Sequence, residues 1–159
     1  EGTNGIQALD LVRRKLGSDD GLAMNALIEE MRQFDGALST SDDDAIAAIR
    51  GRFAEAGAAL ARTTHQLLYD LRNDPDRADA AATPYLELAG TVLGGYYMAR
   101  SALIAEENIS MKTGNTKFYQ AKLATALFYA ESILPKSAAL ARAATGGADT
   151  VSYMAPEAF

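Results

Sequence analysis

The stretch that decides the fold is YLELAGTVLGGYYMARSALIA, residues 85–105. Its apolar side chains recur every three or four residues, which is the spacing of an α-helix face. They form two stripes on different faces: Tyr85, Leu88, Val92, Tyr96, Ala99 and Leu103, and then Leu86, Leu93, Tyr97 and Ile104. A helix that is apolar on several faces is buried among neighbouring helices. The stretch therefore predicts the central helix of a bundle.

The same stretch is long enough to suggest a membrane span. Glu87 and Arg100 interrupt it, however, and each charge at the centre of a membrane helix costs roughly 2.5–3.5 kcal/mol on insertion scales. We therefore predict no membrane span. Gly90 and Gly94 form a pair of small residues one helical turn apart, which predicts the close approach of a neighbouring helix.

Five segments carry the periodicity of an amphipathic helix. They are residues 6–16, 24–38, 44–74, 76–110 and 116–145. No segment shows the alternation and turn residues of a β-hairpin. The sequence predicts an all-α protein: an antiparallel bundle of about four long helices preceded by a short N-terminal helix.

Polar residues and glycines mark where these helices begin and end. Asn4 is the expected N-cap of the first helix, and Gly17 fits the position just after it. Ser41 and Asp44 match a capping box at the start of the third helix. Pro84 is expected to kink the fourth helix or to mark its true start.

Prolines and glycines predict the remaining boundaries. The third helix should stop before Pro75, since proline disfavours helical dihedrals in the preceding residue. Pro135 should bend the last helix. Gly146 and Gly147 should end that helix, and residues 149–159 are expected to form an irregular tail.

Composition excludes several functional classes. The net charge is −6 and the chain has no cysteine, which argues against a dedicated nucleic-acid binder and excludes thiolate metal sites and cysteine nucleophiles. His65 is the single histidine, so a histidine-rich zinc or diiron site is excluded and we expect a structural role for it. No metal is predicted. No signal peptide is visible, and we expect a cytoplasmic protein.

The opening residues, EGTNGIQ at positions 1–7, are the best candidate for chemistry. Gly2 and Gly5 allow a ligand to approach the backbone closely. A helix N-terminus attracts an anion such as a phosphate. A partly desolvated carboxylate at Glu1 can act as a base towards a weakly acidic carbon. The same residues are also compatible with a flexible entry into the first helix that has no function.

This segment resembles the end of the catalytic domain of FAD-dependent acyl-CoA dehydrogenases. In that family the glutamate of an E-G-T motif is the catalytic base. The stretch FYQAKLATALFYAESILPKSAALARAATGGADTV, residues 118–151, is similar to the helical C-terminal extension of a subset of these enzymes, the 3-(methylthio)propionyl-CoA dehydrogenase type. Residues 85–105 also resemble that extension, whereas the middle of the chain matches in helical pattern only.

The resemblance implies a mechanism. Glu1 would remove the α-proton of an acyl-CoA thioester, and the β-hydrogen would leave as hydride to FAD. Gly2 would lie beside the thioester, and Thr3 and Gly5 would be at the cofactor. Family members carry a glutamine at the position of Gly5, so that side-chain contact is lost and Thr3 is the firmer assignment.

The resemblance also divides the chain. Residues 1–17 would be the end of the catalytic domain, residues 18–148 the extension bundle, and the remainder a tail. Since the chain opens with Glu1 rather than methionine, we expect it to be part of a longer protein with an electron-transfer acceptor and homo-oligomeric contacts. The isolated chain is expected to bind no FAD, to be inactive and to serve a structural role.

Two other functions remain open from the sequence. One is a stand-alone helical interaction or dimerisation module without catalysis; a start codon directly before Glu1 would favour it, whereas an upstream flavin-binding domain would favour the enzyme. The other is a bundle that binds a small ligand, which would need a sizeable cavity between the helices.

Overall fold

A computed structural model of the chain describes residues 3–151, apart from the side chains of residues 148, 149 and 151. Within that range every regular element is a helix, as predicted. The helices are α1 (Thr3–Leu9), which continues as a π-helical turn (Asp10–Leu16), α2 (Leu22–Leu38), α3 (Asp44–Asn73), α4 (Pro75–Ala80), α5 (Ala82–Ser110), α6 (Thr116–Ser132) and α7 (Lys136–Val151).

The antiparallel pair α3 and α5 forms the centre of the bundle. Near one end the Phe53 ring stacks on Tyr96 with centroids 6.0 Å apart. Near the other end the Thr64 and Tyr85 hydroxyls are hydrogen-bonded at 2.8 Å. Tyr85 is fully buried, and burial raises its pKa to about 12. The prediction of an antiparallel all-α bundle is confirmed.

The two apolar stripes of α5 differ in how deeply they are buried. The first is buried, from Tyr85 to Ala99. The second was also expected to be buried, but Tyr97 and Ile104 are each 56% exposed. That expectation was wrong for these two residues, because the described helices cover only part of this face.

Helix α6 runs antiparallel to α5, and the close contact lies at Gly94 and Gly95. A Cβ at Gly94 would lie 2.2 Å from the Tyr129 hydroxyl, and one at Gly95 would lie 2.5 Å from Leu134 Cδ2. Gly90 was predicted to be part of this contact, but a Cβ there would meet nothing within 4 Å. The prediction was therefore right for Gly94 and wrong for Gly90.

Two prolines lie at helix boundaries that the sequence suggested. Helix α3 ends at Asn73, before Pro75, and Pro84 lies in the first turn of α5. Pro135 was expected only to bend the last helix. Instead the helix is interrupted at residues 133–135, and α7 starts at Lys136. Helix α7 still runs antiparallel to α5, because Gly95 faces Leu134 while Gly90 shares a groove with Leu140.

Two predicted N-caps were wrong. Asn4 lies inside α1 rather than before it. The N-cap of α3 is Asp43, whose carboxylate accepts hydrogen bonds from the backbone N–H groups of Ala45 (2.8 Å) and Ile46 (3.2 Å). Ser41 instead accepts a hydrogen bond from the Asp43 N–H at 3.2 Å. Several acidic residues in a row offered competing caps, and backbone geometry selected one of them.

The glycine signals were also only partly right. Gly17 keeps a right-handed helical φ of −75°, whereas Gly21 has φ of 77° and forms the turn into α2. Helix α7 continues through Gly146 and Gly147 to Val151, so the first residues of the expected irregular tail are helical. Residues 152–159 lie outside the described residues. No described helix has the length and hydropathy of a membrane span.

Candidate functional site

The predicted site lies at the start of the chain. Glu1 and Gly2, the predicted base and substrate contact, lie outside the described residues. Thr3 and Gly5, the predicted cofactor contacts, lie on the first turns of α1 and are exposed. A Cβ built on Gly5 would meet no atom within 4 Å. The described part of the segment therefore presents an open surface rather than a closed pocket.

One face of the N-terminal segment, residues 3–16, is anchored in the bundle. Ala8, Val12 and Leu16 are almost fully buried and belong to the same core as the other helices. The Arg13 guanidinium is hydrogen-bonded to Asp79 in α4, with Nε 2.6 Å from Oδ1. This burial and this ion pair hold the π-helical turn against the bundle. The exposed first turn of α1 is therefore attached to a well-packed segment.

Charged side chains within this segment form an ion pair. Arg14 donates from Nε to the Asp10 carboxylate at 2.5 Å and from Nη2 at 2.8 Å. This hydrogen bonding lowers the pKa of Asp10 below its ordinary value. Asp10 is therefore held as a charged, structural carboxylate and is a poor candidate for a proton acceptor.

The exposed side of the segment is apolar as well as polar. Ile6 is 65% exposed and Leu9 is 37% exposed. Together with Thr3 and Gly5 they make a surface with small, polar and aliphatic groups side by side. Such a surface suits contact with further protein or with a bound cofactor.

A second feature is a groove of about 810 Å³ between α3 and α7. Four arginines line it, and we call it the arginine groove. They are Arg52, Arg62, Arg77 and Arg142. Glu55 is the one carboxylate among the lining residues given by the structure.

Two of these arginines have visible partners. Arg77 donates from Nη2 to the Thr145 carbonyl oxygen at 3.0 Å, and its Nε lies 3.2 Å from Oδ2 of the buried Asp70. Asp70 also accepts from Gln66 Nε2 at 2.9 Å. Arg52 pairs with Glu55 at 3.3 Å, and both side chains are largely exposed. The groove thus has one rigidly held guanidinium at one end and a solvated ion pair at its rim.

This groove was not predicted from the sequence, in which Arg52 and Arg62 were expected to lie outside the apolar face of the third helix. One signal was present: Arg52, Glu55, Arg62 and Gln66 are spaced to lie along a single stripe of α3. Their meeting with Arg142 on another helix depends on tertiary packing and leaves no trace in the local pattern.

A third feature is an exposed apolar surface on the hairpin of α5 and α6. The Gly94–Tyr129 contact marks the sides on which these helices touch. Counting about 100° per residue from those two positions, Tyr97, Ile104 and Phe128 point to one side of the hairpin, and Phe118 lies about 20° from the direction of Tyr129. All four are exposed apolar residues. These residues, which we call the hairpin face, are Tyr97 (56% exposed), Ile104 (56%), Phe118 (51%) and Phe128 (63%).

By architecture, residues 3–151 form an all-helical bundle domain. By sequence, the chain belongs to the family described as acetyl-CoA dehydrogenase C-terminal like, whose model matches residues 26–155. It is thus a C-terminal helical domain of acyl-CoA dehydrogenases. The resemblance stated from the sequence is confirmed, and the match extends through the middle of the chain, where the sequence offered only a helical pattern.

Two curated relatives cover most of the chain. It is 39% identical over 139 residues to a 3-methylmercaptopropionyl-CoA dehydrogenase of Ruegeria pomeroyi, an alignment that covers 87% of this chain and 23% of that protein. It is 29% identical over 139 residues to a butyryl-CoA dehydrogenase of Syntrophomonas wolfei, covering 85% of this chain and 22% of that protein. The chain spans less than a quarter of the length of these relatives.

Proposed function

We propose that this domain works as part of a flavin-dependent enzyme that introduces a double bond between Cα and Cβ of an acyl-CoA thioester. The observation that carries the proposal is the 39% identity to a 3-methylmercaptopropionyl-CoA dehydrogenase. We assign residues 1–17 to the end of the catalytic domain and residues 18–148 to the extension bundle. An electron-transfer acceptor, homo-oligomeric contacts and a place in acyl-CoA or fatty-acid metabolism belong to the same proposal.

The proposed chemistry places Glu1 at the substrate. Its carboxylate removes the α-proton, which becomes acidic enough only when the thioester oxygen accepts hydrogen bonds as enolate character develops. Gly2 leaves room for the thioester to lie against the backbone. When bound, FAD supplies an acceptor for the β-hydrogen as hydride. Thr3 and Gly5 would contact the cofactor from the exposed turn of α1.

The described residues fit FAD only as one edge of its site. Thr3 and Gly5 are open to approach, which suits contact with a cofactor held elsewhere. Neither lines the arginine groove or two further grooves of the bundle. Residues outside this chain would therefore have to enclose the flavin ring. We infer that the bundle itself is structural and that the isolated chain is inactive.

The isolated 159-residue chain should retain no flavin and should dehydrogenate no acyl-CoA. After incubation with FAD and removal of unbound cofactor, its absorbance spectrum should show no flavin band. Butyryl-CoA added with an artificial electron acceptor should not be consumed. The control is the longer polypeptide that includes the preceding catalytic domain, which should show both signals. Flavin retention or turnover by the isolated chain would refute the inference of an inactive domain.

We further propose that the hairpin face packs against the catalytic part of the same longer polypeptide. The support is that four large exposed apolar side chains lie on the hairpin of α5 and α6, and that the curated relatives carry more than three quarters of their length outside the matched region. Exposed apolar clusters of this kind commonly mark protein contacts.

Replacing Phe118 and Phe128 by serine should test this contact. In the isolated chain the change should alter the free energy of unfolding by no more than about 0.5 kcal/mol per site, since both rings are exposed. In the longer polypeptide it should remove about 1.5–3 kcal/mol per ring, because the rings are then buried. Denaturant unfolding of both forms measures the difference.

Tyr69→Ser provides the control for that experiment. Tyr69 is 57% exposed and lies on α3, away from the hairpin face, so it should have little effect in either form. Equal effects of the double substitution in the short and long forms would show that the hairpin face has no partner in the catalytic part.

A further inference from the structure

We propose that the arginine groove binds a small molecule that carries two or more phosphate groups. This inference does not rest on the proposed dehydrogenase function, because the groove lies between α3 and α7 and the proposed catalytic residues lie at the start of the chain. No finding from the sequence or from the relatives assigns a ligand to this groove.

Positive charge is concentrated in this groove. The chain has a net charge of −6 and only 15 lysines and arginines, yet four arginines line this one groove. Glu55 neutralises Arg52 at the rim, and Asp70 lies behind Arg77. Among the side chains that the structure describes, no carboxylate lies within 4.0 Å of the Arg62 or Arg142 guanidinium group. An anion in the groove would be attracted by both of these guanidinium groups.

A hydroxyl group also lines the groove. Ser137 lies in the first turn of α7 and is 4% exposed as a residue. Its backbone N–H is bonded to Leu134 O at 2.9 Å. Its hydroxyl can donate a hydrogen bond to a phosphate oxygen in the groove.

The arginine side chains match the hydrogen-bonding geometry of a phosphate. A guanidinium group is planar and donates two parallel hydrogen bonds to a phosphate. Arg77 is already oriented by Thr145 and Asp70, so it loses little freedom on binding a ligand. The N-terminal end of α7 adds partial positive charge beside Ser137. One phosphate could reach Arg62 and Arg142, while a second could reach Arg77.

The dimensions and lining favour a small ligand. The groove volume of about 810 Å³ lies within the usual range of small-molecule sites, about 300–1,000 Å³. Its remaining walls are mostly small or apolar and can receive the uncharged part of such a ligand; they include Ala59, Leu134, Pro135, Ala138 and Ala141. The negative net charge of the whole chain disfavours an extended polyanion such as a nucleic acid, which would contact a wider surface.

The test is a calorimetric titration of the 159-residue chain with tripolyphosphate at low ionic strength. The double substitution Arg62→Gln and Arg142→Gln should weaken binding by about tenfold or more, since hydrogen bonds to charged groups contribute about 1.5–3 kcal/mol each. Neither side chain has a partner among the described residues, so circular dichroism should show an unchanged fold. Ser137→Ala should weaken binding by a smaller factor, about three- to tenfold, as expected for one hydrogen bond.

The matched control removes the same number of charges elsewhere. Arg32 and Lys117 are exposed and lie outside the groove, and replacing both by glutamine should change the dissociation constant by less than about twofold if binding is local. ATP should compete with tripolyphosphate, whereas adenosine should not. Absence of binding at millimolar tripolyphosphate would overturn the proposal, and so would equal weakening by the control pair. Tighter binding of a glutamate hexapeptide at the same arginines would overturn the phosphate assignment in favour of an acidic protein segment.

Discussion

Replacing Glu1 by glutamine in the longer polypeptide should abolish reduction of the bound flavin by an acyl-CoA while leaving FAD bound. The amide keeps the size of the side chain but cannot accept the α-proton. A positioned general base contributes about 10²–10⁴-fold to a proton-transfer step, so we expect at least a ~10²-fold loss. Anaerobic mixing with butyryl-CoA, followed by flavin absorbance, measures the loss directly.

The control for this experiment is Glu131→Gln. Glu131 is an exposed carboxylate on α6 with no partner among the described residues, and its replacement should leave flavin reduction unchanged. Full activity of the Glu1 variant would refute the assignment of the base. Loss of FAD from that variant would instead show that Glu1 supports the cofactor site, which the present assignment does not predict.

Replacing Tyr85 by alanine should cause the largest loss of stability in the isolated chain. Tyr85 is fully buried between α5 and α3, and its hydroxyl is bonded to Thr64 at 2.8 Å. Removing a buried aromatic ring costs about 3–5 kcal/mol because it leaves a cavity and loses apolar contacts. Urea unfolding followed by circular dichroism should show this loss as a lower midpoint with an unchanged slope.

Two control substitutions isolate the contribution of the Tyr85 ring to stability. Tyr85→Phe removes only the hydroxyl, and Tyr69→Ala removes a tyrosine at an exposed position. Tyr85→Phe should cost only about 1 kcal/mol, since Thr64 keeps its second hydrogen bond to Leu60 O at 2.9 Å. Tyr69→Ala should have an effect within about 0.5 kcal/mol, because Tyr69 is 57% exposed. If Tyr69→Ala and Tyr85→Ala were equally damaging, the packing described for α5 would be wrong.

The bundle architecture was predictable because helical periodicity is strong and local. The stripe from Tyr85 to Ala99 identified both the helix and its buried face. Pro75 ended a helix as expected, since its ring constrains the residue immediately before it. Helix caps were less predictable. Asp43 rather than Ser41 caps α3, and neighbouring acidic and hydroxyl residues are nearly equivalent until the backbone direction is fixed.

The two candidate sites also differ in how far the sequence could predict them. The Glu1 motif is a contiguous string of residues and could be recognised as such, although the roles of Glu1, Gly2, Thr3 and Gly5 remain predictions. The arginine groove could not be predicted. Arg62 and Arg142 are 80 positions apart in the chain, and only the packing of α7 along α3 places them on the same cleft.

The sequence by itself determined that this protein is helical, that the Tyr85–Ala99 face of α5 is buried and to which enzyme family the chain belongs. These properties follow from spacing along the chain and from strings of neighbouring residues. Tertiary structure alone decided that the last helix is interrupted at residues 133–135, that Gly95 rather than Gly90 admits a neighbour, and that arginines from separate helices line one groove with Ser137. The physical reason is that packing brings distant residues together through the shapes of whole helix surfaces, which no local pattern encodes.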